Sequence, residues 1–544
     1  MPLMQTLRFS IARLGQWVKG WTSAGDDAKT ELPPPLLSDA QQDAYFRALA
    51  TRENEGSLVD DRTWGDLEMD QVFSRLNRHS TPFGAQYLYA MLRQCRPEIP
   101  ERNQKIRDLL SADPRLVREL QEALRPGVGK ESAEVARLLL GPEPILPSQY
   151  RLFYLASALT LVCPLGLFLT PWFLPACLFL WVLCIVLHCV FRDRLLSHTP
   201  QLSGLASLLD CVPKLAKALD QTGLPEAGEL VKVAPVCRNV KKHLARTFLK
   251  QGAGNDLALM AVEYLNVLCL FELSSVCRAL VAVNQARPEL LQAFKLVGRL
   301  DAWQGLTRAI SEFPVICTPE ASADRGFSLV DVYHPLLKAP ITNSIATDGK
   351  SLLFTGTNMA GKTTFIKTLA LNALLAQTLG FCLARKAVLP CVRLRTLLQR
   401  EESVESGQSY FYFEATQLLR IADQTPGKPV WFVLDELFRG TNALERVAAS
   451  AAVLTHLARR GLVMVTTHDH QLIRLLESQF NAYYFSEVVD ADGARFDYRL
   501  KEGPCPTRNA IQLLELAGYP KEVVQLARKW VSEALAETNL RAGN

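Results

Sequence analysis

The sequence predicts an α/β C-terminal domain, preceded by an all-α region that carries an apolar two-helix hairpin. Three observations predict this. A short apolar run, Leu352-Leu-Phe-Thr355, reads as a buried strand and stops at Gly356, where Gly-Thr-Asn-Met-Ala-Gly-Lys-Thr fills every fixed position of G-x-x-x-x-G-K-S/T ahead of a helical pattern. From about residue 39 to 141, apolar residues recur at three- and four-residue spacing, as in Met69-Asp-Gln-Val-Phe-Ser-Arg-Leu76. Between Arg151 and Arg192 there is no Asp, Glu, Lys or Arg.

Composition sets the outer bounds. At 544 residues the chain has room for about three folding units. With 49% hydrophobic and 21% charged residues it is globular, which excludes a disordered chain. A net charge of +5, from 60 basic and 55 acidic residues, does not by itself announce a nucleic-acid binder. The 13 cysteines form no C-x-x-C pair, so reduced thiols in a cytosolic setting and no zinc site are expected.

Taken in order, residues 1–38 read as an amphipathic segment, with Met4, Leu7, Ile11, Leu14 and Val18 on one side, followed by a stiff linker at Leu32-Pro-Pro-Pro35. The segment lacks the continuous apolar core of a secretory signal. It suits either a membrane interface or docking on its own protein. Residues 39–150 form the first part of a helical core.

Residues 151–192 follow as the hairpin. Its apolar run of about 40 residues is twice what one membrane span needs, and Thr170-Pro-Trp-Phe-Leu-Pro175 divides it into two spans of about 18 to 20 residues. Residues 152–191 are therefore expected to cross a lipid bilayer twice, giving a multi-pass membrane protein. Arg151, Arg192 and Arg194 then share the cytoplasmic face, and Trp172 and Phe173 sit at the far interface. The alternative is a helical hairpin buried in a large soluble core. Residues 193–326 return to soluble helical patterning, with long candidates at Leu202–Leu219, Asp256–Val283 and Glu289–Phe313. Arg238, Lys242, Arg246 and Lys250 recur every fourth residue, a stripe suited to DNA phosphates or lipid headgroups, or a solvated face.

Residues 327–544 carry the chemistry. In the loop Gly356, Thr357, Asn358, Met359, Ala360, Gly361, Lys362, Thr363 and Thr364, successive N–H groups can turn inward on a triphosphate, helped by the dipole of the next helix. Lys362 is expected to reach the β- and γ-phosphates of ATP or GTP, and the Thr363 hydroxyl to ligate Mg2+. A second apolar run, Val430-Trp-Phe-Val-Leu434, delivers Asp435 to Mg2+ and Glu436 to the attacking water. A third, Leu462-Val-Met-Val-Thr-Thr467, leads to His468, placed to sense the γ-phosphate.

Together, the TGTNMAGKTT loop, Asp435-Glu-Leu-Phe-Arg-Gly-Thr-Asn442, Thr466-Thr-His-Asp-His470 and Glu405-Ser-Gly-Gln-Ser-Tyr-Phe411 resemble the ATPase domain of the MutS mismatch-repair family, an ABC-type P-loop ATPase. Tyr498-Arg-Leu-Lys-Glu-Gly-Pro504 and Ala510-Ile-Gln-Leu-Leu-Glu-Leu-Ala-Gly-Tyr-Pro520 are similar to that domain's ending. Upstream, Val59-Asp-Asp-Arg-Thr-Trp-Gly-Asp-Leu-Glu-Met-Asp70, Thr81-Pro-Phe-Gly-Ala-Gln-Tyr-Leu88 and Arg102-Asn-Gln-Lys-Ile-Arg-Asp-Leu-Leu110 resemble its helical core and lever. The resemblance implies ATP with Mg2+, and a homodimer through the ATPase domain in which Ser409 faces the partner's γ-phosphate and Arg439 to Asn442 line the seam.

No Phe-x-Glu wedge occurs near the N-terminus, and the expected family member lacks the mismatch-recognition and connector domains. Two functions follow as expectations. One is a membrane-anchored ATPase, its ATPase domain on the cytoplasmic side, coupled to DNA binding without mismatch reading. The other is a membrane-tethered mechanical ATPase acting on a protein or lipid partner without DNA. Two spans per chain are too few to line a transport pathway.

Overall fold

The computed structural model describes residues 37–51, 58–94, 99–147, 150–168, 170–245, 267–357, 360–398, 410–423, 429–438, 441–490, 493–505, 511 and 518–542. The amphipathic pattern within 1–36, Asn358, Met359, Ser409 and Arg439, and Arg246 and Lys250 of the basic stripe lie outside the described residues.

Helices Pro82–Arg93 and Arg287–Ser311 form the spine of the helical part. Glycines let them cross closely: a Cβ on Gly298 would lie 2.9 Å from the Phe83 carbonyl oxygen, and one on Gly305 would lie 2.5 Å from the His79 nitrogen. Fully buried Asp301 accepts from Ser80 N (2.9 Å), Thr81 N (2.8 Å), Thr81 Oγ1 (2.6 Å) and Gln304 Nε2 (2.9 Å). It thereby ties the start of the first helix to the middle of the second, satisfying amides that a helix end leaves unpaired. Two of the long sequence candidates appear as Thr199–Ala218 and Arg287–Ser311; of the third, Asp256–Val283, residues 256–266 lie outside the described residues and the helix Phe271–Gln285 starts only after Leu270, which is left-handed at φ 51°, while Arg238 and Lys242 lie on Pro225–Ala245.

The hairpin consists of helix Tyr150–Val162, a 3-10 turn at Cys163–Phe168, and helix Phe173–Leu196. Pro164 falls where the first helix tightens, and Pro175 lies in the first turn of the second, where a missing N–H breaks no helical bond. The second helix has 24 residues, longer than the 18 to 20 expected, because it continues past Arg192 and Arg194 to Leu196. Its base is docked on Phe271–Gln285, with the Phe153 and Phe191 rings 5.3 Å apart and Arg278 4.8 Å over the Tyr154 ring. Beyond the base it projects. The most apolar stretches of its two arms are only 28% and 17% buried, and Phe168 and Trp172 are 89% and 86% exposed. This exposure does not fit the alternative of a hairpin enclosed in a soluble core. Both segments are long and apolar enough to cross a membrane.

The C-terminal part contains twelve described strands: β1 (Glu320–Ala321), β2 (Phe327–Val332), β3 (Asn343–Thr347), β4 (Ser351–Gly356), β5 (Lys386–Leu389), β6 (Arg393–Leu397), β7 (Val430–Asp435), β8 (Leu462–Thr466), β9 (Phe480–Phe485), β10 (Glu487–Asp490), β11 (Gly493–Phe496) and β12 (Lys501–Glu502). A six-stranded sheet runs β12-β9-β4-β8-β7-β6, parallel except for β12. A mixed sheet runs β1-β5-β2-β3, and β10 and β11 form a separate hairpin. β4 and β8 are buried at every position, which matches their unbroken apolar runs.

Helix Lys362–Thr378 is sunk between the sheets and the helical part, and one continuous apolar core includes residues of both. The Val59–Asp70 stretch supplies polar ties across the same boundary. Asp60 pairs with Arg395 (2.8 Å), Asp66 accepts from Thr396 Oγ1 (2.7 Å) and Leu398 N (3.0 Å), and Glu68 pairs with Lys367 (2.6 Å).

Candidate nucleotide site

The site grows from the order β4-β8-β7, which brings three sequence-distant strand ends side by side. At the end of β4, Gly356 has φ 129°, and a Cβ there would collide with the Phe485 carbonyl oxygen of β9. Gly361, at φ 96°, opens helix Lys362–Thr378. Both positions need glycine because an L side chain is strained at such φ.

Lys362 is 5% exposed, and its Nζ donates to the carbonyls of Gly356 (2.9 Å) and Thr357 (2.8 Å), with His468 Nε2 at 3.4 Å. Thr363 Oγ1 donates to Asp435 Oδ1 at 3.1 Å, and the Thr466 hydroxyl donates to the same oxygen. Glu436 Oε1 lies 2.7 Å from His468 Nε2. Lys362, Thr363, Asp435, Glu436 and His468 therefore converge. Thr364, one position further, lines the same cavity, and Ala360 is packed into the core.

The Thr363 hydroxyl and Asp435 carboxylate are hard oxygen donors on neighbouring elements. That pair fits Mg2+, which takes one or two protein oxygens and completes its shell with phosphate and water. Among the described residues no cluster of three or more His, Cys, Asp or Glu could hold a metal unaided.

Gly361, Lys362, Thr363, Thr364, Asp435 and Glu436 line one side of a cavity of about 840 Å³, within the range of small-molecule sites, while His468 lines an adjoining cleft that shares Glu436. The other side is formed by residues to which sequence reasoning assigned no role: His334, Leu337, Ile341, Asn343 and Tyr498. Tyr498 is held by Asn343, whose Nδ2 donates to the Tyr498 carbonyl (2.9 Å) and whose Oδ1 accepts from Leu500 N (2.8 Å). Its ring lies over the loop, 3.2 Å from where a Cβ on Gly361 would be. Burial lowers the pKa of His334 to about 4, so the ring is neutral at pH 7. Its Nδ1 accepts from Leu336 N (3.3 Å), which leaves the proton on Nε2. In the sequence this wall is marked by the Tyr498-Arg-Leu-Lys-Glu-Gly503 run alone, which resembles a family segment and carries no sign of the contact.

Of the seam residues, Thr441 and Asn442 are described. Asn442 caps helix Ala443–Arg460, accepting from Glu445 N at 2.9 Å. Helix Tyr410–Asp423 begins directly after Ser409.

Comparison with known proteins places a family domain over the same residues. The family model for MutS domain V matches residues 352–535, which include β4, the loop, β7 and β8. Residues 352–535 carry a MutS domain V. The DNA mismatch repair protein MutS of Oleidesulfovibrio alaskensis is 30% identical over 262 residues, covering 45% of this chain and 29% of the relative. That of Natronomonas pharaonis is 28% identical over 256 residues, covering 45% of this chain and 30% of the relative. The chain thus spans under a third of the length of these MutS relatives, and the family model it matches is domain V, the family's ATPase domain.

Proposed function

We propose that the chain is a membrane-anchored MutS-family ATPase that binds and hydrolyses Mg-ATP at sites shared between two subunits and couples this cycle to DNA binding. The convergence of Lys362, Thr363, Asp435, Glu436 and His468 at one end of β4, β8 and β7 carries the reading. Lys362 neutralises the β- and γ-phosphates, and the loop amides and helix dipole hold their oxygens. Thr363 and Asp435 would hold Mg2+, which would supply charge neutralisation on the phosphates. Glu436 orients the attacking water and accepts its proton, and His468 steadies the Glu436 carboxylate beside the γ-phosphate. The apolar and aromatic wall of Leu337, Ile341 and Tyr498 takes the base.

A shared site is supported by the exposed apolar side chains Tyr412, Leu419 and Leu444 on the helices flanking the seam, a surface suited to a second copy. The hairpin supports anchoring. Its 24-residue helix is about 36 Å long, enough to cross a hydrocarbon core of about 30 Å. Exposed Arg151, Arg192 and Arg194 at the hairpin base favour the cytoplasmic side for the ATPase domain.

A second reading, a membrane-tethered mechanical ATPase acting on a protein or lipid partner, draws on this projecting apolar hairpin. DNA binding rests on the similarity to MutS proteins and on exposed Arg238 and Lys242. One experiment separates the two. The full chain in detergent is assayed for ATP turnover and for duplex DNA binding at low and moderate salt. Turnover with DNA binding that weakens as salt rises supports the first reading. Turnover without DNA binding at low salt selects the second, and no turnover refutes both.

A further inference from the structure

The turn that follows β7 is built in an unfavourable backbone conformation. Glu436 and Phe438 are both left-handed, at φ 45° and 59°, and neither is glycine. Such residues persist where their surroundings over-determine them, and they gather at functional sites. Three contacts hold this turn. Glu436 N donates to the Thr466 carbonyl of β8 at 3.2 Å, continuing the register of the β7–β8 ladder. Phe438 packs its ring on Phe411, with centroids 4.9 Å apart. The Phe438 amide donates to Glu414 Oε1 at 2.9 Å.

Among the described residues no backbone carbonyl accepts from the Phe438 amide. A buried amide without an acceptor is costly, and a carboxylate is a stronger acceptor than a neutral oxygen. Glu414 is itself 8% exposed, so its carboxylate is committed to this interior. We infer that Glu414 is a positioning residue: it holds the Glu436–Phe438 turn in the left-handed geometry that points Glu436 at His468. The inference rests on the reading of Glu436 as the group that activates water.

Its place in the fold gives the contact a second consequence. Glu414 lies on helix Tyr410–Asp423, which starts one residue after Ser409. On the next turn of the same helix, Gln417 Oε1 accepts from Arg62 Nη1 at 2.9 Å, and Arg62 belongs to helix Asp61–Asp66 of the helical part. One helix is therefore held by the helical part and in turn holds the turn that bears Glu436. A shift of this helix, whether imposed at Ser409 by a partner's nucleotide or at Gln417 by the helical part, reaches the Glu436 carboxylate through Glu414.

The test uses the full chain in detergent with Glu414→Ala and Glu414→Gln, the second of which keeps an acceptor oxygen. For Glu414→Ala, kcat falls tenfold or more with the KM for ATP within twofold of the parent. Hydrogen exchange in the peptide covering residues 436–438 speeds up at least tenfold. Glu414→Gln returns both quantities to within threefold of the parent. The inference is overturned if Glu414→Ala leaves kcat and exchange within twofold, or if Glu414→Gln is as damaging as alanine. Should the alanine variant not fold, Glu414→Asp, which withdraws the carboxylate by one methylene, is compared in its place. A parent chain without ATP turnover refutes the proposed function, whereas the exchange comparison still decides whether Glu414 holds the turn.

Discussion

Glu436 Oε1 and His468 Nε2 stand 2.7 Å apart, joining the end of β7 to the loop after β8. Their strands are neighbours, so the pair is set by the ladder in which Asp435 opposes Thr466. It puts the candidate base and the candidate γ-phosphate sensor in one hydrogen-bonded unit. Replacing Glu436 by Gln keeps the shape and removes the base. Turnover is expected to fall by about 10²-fold or more with nucleotide binding retained, trapping the closed dimer. His468→Ala should lower turnover less, and the double variant should cost less than the sum of the two in free energy. Steady-state kinetics on the four proteins measure this; turnover in Glu436→Gln equal to the parent would falsify the assignment.

Lys362 is buried on the loop's own carbonyls, 2.9 Å from Gly356 O and 2.8 Å from Thr357 O. Its ammonium is thus already placed where phosphate oxygens would arrive. Lys362→Ala removes hydrogen bonds to a charged ligand, worth about 1.5–3 kcal/mol each, so ATP affinity should drop by roughly tenfold or more. Calorimetric titration with ATP measures the drop, and an unchanged Kd argues against a phosphate role.

The shared-site proposal predicts complementation. Ser409→Arg chains and Lys362→Ala chains should each be inactive alone. Mixed, they should regain part of the parent's turnover, because one composite site then combines an intact loop with an intact Ser409. Mixtures that remain inactive across all ratios, while still forming dimers by light scattering, count against the shared site.

Stability should fall in acid through His79. The ring is buried beside the Arg287–Ser311 helix, neither ring nitrogen has a hydrogen-bond partner among the described residues, and burial lowers its pKa from 6.5 to about 3. The folded state therefore stays neutral at this position while the unfolded chain takes up a proton below pH 6.5. Stability is fully present above pH 6.5 and is lost progressively as pH falls toward 3. At pH 5 the loss is about 2 kcal/mol from this group. His334, whose pKa is lowered to about 4, adds a loss of the same sign. Chemical denaturation of the parent and His79→Gln at pH 7 and pH 5 isolates the first contribution, which is absent if both proteins weaken equally.

Much of the site was legible because its signals are local. Gly356, Gly361, Lys362 and Thr363 lie within eight residues, and the loop's chemistry demands those types at that spacing. Asp435, Glu436 and His468 were legible because apolar runs mark buried strands, whose ends gather at one edge of a parallel sheet. The hairpin was legible from the missing charges, although its second helix runs longer than the proline break suggested. The wall of His334, Leu337, Ile341, Asn343 and Tyr498 was not legible, because these residues reach the cavity from the end of β2, the start of β3 and the turn before β12.

The sequence by itself determined the glycine-lysine loop of the candidate nucleotide site, the carboxylate pair and the apolar hairpin, since each depends on neighbours along the chain. Only the tertiary structure decided which side chains meet. It set Tyr498 over Gly361, bound Asp60, Asp66 and Glu68 to the α/β part, and placed the Glu414 carboxylate on the Phe438 amide. These contacts follow from strand order and helix packing, which bring together residues tens to hundreds of positions apart, and no periodicity or spacing in the chain encodes such a meeting.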